Sequence, residues 1–86
     1  MYLVVVYDIN VDRVNKVHKL LKEYLHWQQN SVFEGKTTKS QYKELILRLK
    51  DIIDEDEDSV FIYKFPYKYL EKRILGTEKN PISFII

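Results

Sequence analysis

Residues 2–10 read Tyr2-Leu3-Val4-Val5-Val6-Tyr7-Asp8-Ile9-Asn10, six apolar or aromatic residues in a row ending on one carboxylate. A run of this length, rich in β-branched and aromatic residues and bounded by Asp and Asn, forms a buried strand. It is too short for a helical core and far too short to cross a bilayer. An acid at the end of a buried strand is costly unless it is paired, hydrogen-bonded or bound to a metal. The rest of the chain is expected to cover this strand and present Asp8.

The elements follow in order. Val11, Val14, Val17, Leu20, Leu21 and Leu25 recur at helical spacing, predicting an amphipathic helix over Val11–Leu25 capped by Asn10 or Asp12. Arg13, Lys16, Lys19 and Lys22 slant across its polar side, as a solvated face or a phosphate track. His26–Gly35 is poor in helix formers and reads as two short strands broken near Asn30. Thr38-x-x-Gln41 is a capping box for a second helix over Lys39–Ile53, where Glu44 and Arg48 stand at pairing distance. The acids Asp54-Glu55-Asp56-Glu57-Asp58 lie just past that helix, where they oppose its dipole, and read as a solvated loop rather than a cation site. Ser59–Phe65 is the next strand, stopped by Pro66. A further strand is expected around Lys72–Leu75, then a turn over Gly76–Pro81 and an apolar end, Ile82–Ile86.

The chain has 86 residues, one domain's worth, and is short enough to gain from a partner. It has no cysteine, which removes disulfides and thiolate zinc sites and fits a cytoplasmic location. No secretory leader is read at the N-terminus, and no membrane partner is expected. The net charge of +1 confines any nucleic-acid contact to a local basic patch. No glycine-rich phosphate loop, nucleophile elbow or zinc spacing is present.

A β-α-β-β-α-β order in so small a domain predicts an α+β, ferredoxin-like fold over residues 1–86, with an additional C-terminal strand. Both helices then cover one face of an antiparallel sheet. Alternation places Leu3, Val5 and Tyr7 on one face and Tyr2, Val4, Val6 and Asp8 on the other. Both faces are apolar, and the last strand repeats the pattern with Phe61, Tyr63 and Phe65. A second copy is the economical cover, with the tail from about residue 77 to 86 exchanged between copies. Two Asp8 carboxylates facing each other across a two-fold axis could share Mg²⁺. The competing use of Asp8 is to satisfy turn amides or cap the following helix.

Val6-Tyr7-Asp8-Ile9, the Arg13 helix with Asn15-Lys16-Val17, and Gln29-Asn30-Ser31-Val32-Phe33-Glu34-Gly35 together carry a resemblance. The chain resembles the small CRISPR-associated endoribonuclease family, the second core adaptation protein. The Ser59–Pro66 stretch is similar to the family's last core strand. Where the family often closes the first helix with glycine, this chain has Tyr24-Leu25-His26-Trp27. The resemblance implies a ferredoxin-like homodimer in which Asp8 is the catalytic, metal-associated acid, with Mg²⁺ or Mn²⁺ as cofactor. It implies hydrolysis of single-stranded RNA or double-stranded DNA, and the CRISPR integrase as partner during spacer acquisition. Arg13 matches a phosphate-contacting arginine, while Tyr7, Ser31 and Phe33 lie near the acid. The alternatives are a non-catalytic DNA-bridging scaffold, in which Arg13, Lys16, Lys36 and Lys39 hold phosphates, and a toxin-type endoribonuclease of the same fold.

Overall fold

The computed structural model describes residues 1–66 and 70–78. The order is β1 (Tyr2–Asp8), α1 (Val11–Tyr24), β2 (His26–Gln29), β3 (Val32–Lys36), α2 (Lys39–Ile52) and β4 (Ser59–Phe65). This is the predicted ferredoxin-like α+β arrangement. The strands form one antiparallel sheet in the order β2-β3-β1-β4, so the opening run is central.

Both helices start where their caps say. The Asn10 side chain accepts from the Asp12 amide, and Thr38 and Gln41 complete the capping box. α1 ends without a left-handed residue. Leu25 is already extended, its amide bonded to the Leu21 carbonyl, and the chain runs straight into β2. The β2–β3 break is at Asn30, whose φ of 44° is left-handed, a conformation Asn tolerates.

The core lies between the helices and one sheet face: Leu3, Val5, Tyr7, Val17, Leu20, Leu21, Phe33, Leu45 and Leu49 are buried there. The other face carries Val4 and Val6 and, across the ladder, Tyr63 and Phe61. Phe61, Tyr63 and Phe65 are 58%, 52% and 40% exposed, so the apolar second face expected from alternation is real.

Three expectations change. Lys72–Leu75 forms no strand. Instead Lys72 reaches the side chains of Glu34 and Gln28 on the second face, so side-chain pairing and not a ladder holds this segment. Glu44 and Arg48 do not pair with each other. Arg48 binds both carboxylate oxygens of Glu23 on α1, and Glu44 takes the Tyr24 hydroxyl, because the α1–α2 packing offers each a partner from the other helix. The acidic run is not uniformly solvated, since Asp58 is buried. Of the expected tail, residues 79–86 lie outside the described residues.

Candidate functional site

Asp8 is the last residue of β1. It stands opposite Ser59 in the β1–β4 ladder, and its side chain is exposed. Among the described residues it has no hydrogen-bond or ion-pair partner. The helix cap beside it is supplied by Asn10, which rules out the capping role for Asp8. A carboxylate left unspent at the end of a buried strand is an available anionic oxygen ligand.

The surroundings of Asp8 come from several parts of the chain. The Tyr7 amide donates to the Ser31 carbonyl at 3.1 Å, which brings the β2–β3 turn beside the strand end. Tyr7 itself points into the core. Its hydroxyl is hydrogen-bonded to His18 Nδ1 at 3.2 Å, and burial pushes its phenol pKa up. Phe33 is fully buried on the same face, its ring 6.1 Å from Tyr7 and 5.0 Å from His18. Tyr7 and Phe33 therefore support the strand end from beneath, on the opposite side from Asp8, whereas Ser31 lies at its level. His18 is the packed histidine its position on α1 predicts.

The remaining boundary is Asp58, which sequence reasoning left in the acidic loop. Its side chain has no exposed surface. Its two oxygens accept from the Asn10 amide at 2.8 Å, the Asp54 amide at 2.8 Å, and the Arg13 guanidinium at 2.7 and 3.1 Å. Arg13 holds the Asp58 carboxyl well below the usual carboxylate range, and the two amides add to the effect. Arg13 also reaches the exposed Glu57 at 3.1 Å. The expected phosphate-contacting arginine is thus engaged by two carboxylates. The one sequence signal for Asp58 is its place as the final acid before an apolar strand; its partner is 45 positions away.

The basic residues divide into two groups. Arg13 and Lys16 are near the start of α1, at the Asp8 end of the sheet. Lys36 pairs with Tyr2 at the far end of β1, and Lys39 opens α2 just beyond it. Six strand steps separate Tyr2 from Asp8, about 20 Å.

The chemistry of the donor set fits a small divalent cation, which takes one or two carboxylates and keeps several waters. It does not fit a dedicated protein cage: among the described residues no three His, Asp or Glu side chains gather to hold a metal. A carboxylate-ended ferredoxin-like sheet that presents one free acid is the class of protein defined here.

The family model for CRISPR associated protein Cas2 matches residues 1–73. The chain belongs to the Cas2 family. It is 55% identical to the CRISPR-associated endoribonuclease Cas2 of Methanocaldococcus jannaschii, covering all of this chain and 76% of that one. It is 54% identical to its Pyrococcus furiosus counterpart over the whole of both chains. Among solved structures, a Cas2 crystal structure superposes with a TM-score of 0.83 at 58% identity, covering 100% of this chain and 98% of the other. Streptococcus pyogenes Cas2 at pH 6.5 gives 0.71 at 34% identity, covering 88% and 100%. No helix among the described residues is long and apolar enough to cross a membrane.

Proposed function

We propose that the chain is a metal-dependent endonuclease that hydrolyses phosphodiester bonds in single-stranded RNA or double-stranded DNA, with Asp8 as its catalytic acid. The observation that carries this reading is the free, exposed Asp8 carboxylate at the end of the central strand. The relatives named endoribonuclease support the reaction class. The working unit is a homodimer, supported by the exposed aromatic second face around Phe61 and Tyr63. Its partner is the CRISPR integrase, with which it acts in spacer acquisition.

In this reading the Asp8 carboxylate of each copy would hold Mg²⁺ or Mn²⁺. Such an ion, when bound, lowers the pKa of a bound water and neutralises charge on the scissile phosphate. The protein's own part is to fix the Asp8 carboxylate at a rigid strand end and to bind the neighbouring phosphates. Lys16 lies nearest for that purpose, and Lys36 and Lys39 engage the backbone farther off. The separation of about 20 Å corresponds to about six phosphates along one strand of a duplex.

A scaffold that bridges DNA without cutting it is the second reading. It is favoured by the single free acid, Asp8, that the described part of the sheet presents at its strand end, which is sparse for a nuclease. Cleavage by wild type and Asp8→Ala, prepared in parallel with Mg²⁺, Mn²⁺ or chelator, decides between the two. Activity in wild type alone, lost with chelator, supports the nuclease. Binding without cleavage in either protein supports the scaffold.

A further inference from the structure

Asp58, whose side chain has no exposed surface, and Arg13 form an enclosed ion pair that the chemistry above does not use. The Asp58 carboxylate receives both arms of Arg13 in a fork-to-fork arrangement. It also receives two backbone amides, from Asn10 and Asp54. These donors come from three places: the turn after β1, the first turn of α1, and the acidic loop just past α2.

The connectivity places all of this against Asp8. Asn10 is two residues after Asp8, and Ser59, its cross-strand neighbour, directly follows Asp58. One buried carboxylate thus pins the chain on both flanks of the exposed one. The acidic loop is wound to present it, with the Asp58 amide bonded to the Asp54 carbonyl at 2.7 Å and the Asp56 amide to Asp54 Oδ1 at 2.9 Å.

We infer that the Arg13–Asp58 pair is a positioning device for Asp8. Asp58 and Arg13 are positioning residues that lock the end of β1 and the β1–α1 turn, so that the Asp8 carboxylate is held in one place and orientation. Arg13 acts through Asp58 rather than as a phosphate ligand. The inference rests on Asp8 being the reactive centre, but the locking itself is measurable without cleavage.

Backbone ¹⁵N relaxation and cleavage kinetics on Asp58→Asn, beside wild type and Asp8→Ala, test it. In Asp58→Asn the amides of Asp8, Ile9 and Asn10 should fall from an order parameter of about 0.85 to below about 0.6, while Leu3–Val6 stay rigid. Its kcat should drop on the order of 10²-fold, the penalty of a misplaced reactive group, with KM and RNA affinity unchanged. Arg13→Gln, which keeps both backbone donors to Asp58, should show the same pattern more weakly. It carries the test if Asp58→Asn fails to fold.

Rigid Asp8–Asn10 amides in the variants overturn the inference, whatever the activity. So does a loss confined to KM and affinity in Arg13→Gln, with the salt slope of binding reduced by about 1, since that is the mark of a phosphate contact. Full cleavage by Asp8→Ala overturns the proposed reaction centre instead, and leaves the order parameters to judge the locking.

Discussion

Asp8 and Asp58 meet where β1 ends and β4 begins, and they are used in opposite ways. Asp58 is fully buried and its two oxygens take hydrogen bonds from Arg13 and two backbone amides. Asp8 is exposed and, among the described residues, has no partner. One carboxylate is spent on holding the structure and the other is left exposed, where the proposed chemistry would need it. A spent acid is stabilised as an anion and cannot take up a ligand without breaking its bonds. A free acid contributes little to folding and is available. The contrast separates function from stability at two positions that composition treats alike.

The largest effect that would break the comparison is on activity. Asp8→Ala should lose cleavage to background while its stability stays within about 0.5 kcal/mol of wild type, as for an exposed residue without contacts. A clear fall in melting temperature would mean that Asp8 is structural after all. Asp58→Asn should do the reverse on stability and melt several degrees below wild type, because Arg13 is left facing an uncharged amide. An unchanged melting temperature would reduce the pair to ornament.

Acid titration sharpens the same contrast. The native Asp58 pKa lies below its unfolded value, so its contribution is fully present above about pH 4 and is lost as pH falls through the lowered native value. Wild type should therefore lose stability more steeply than Asp58→Asn as pH falls below about 4, and the two unfolding curves should converge. Parallel curves would show that the ion pair carries no linkage. The smallest expected effects come from the lysines. Lys16→Ala and Lys36→Ala should each reduce the salt slope of nucleic-acid binding by about 1 without altering kcat. A kcat effect from Lys36 would contradict its place about 20 Å from Asp8.

Much of the fold was legible because it is written locally. The Thr38–Gln41 box, the Asn10 cap and the alternation in β1 each involve residues within a few positions, and each appears as expected. Asp8 was legible as a candidate for the same reason, as a lone acid closing an apolar run. That Arg13 is held by Asp58 was not legible, because its partner lies 45 positions away, inside a run that looks uniformly solvated. The expected Glu44–Arg48 pair failed similarly, since helix packing gave Arg48 a better partner in Glu23. Phe33 sits beside the site in sequence but beneath it in space, because strand alternation turns it into the core.

By itself the sequence determined the element order, the helix starts, the buried central strand and the acid at its end, because hydrophobic period and capping act over a few residues. Only the tertiary structure decided which acid is free and which is bound. That choice depends on where a guanidinium and two amides converge, and such convergence exists only after β1, α1 and β4 have been packed together.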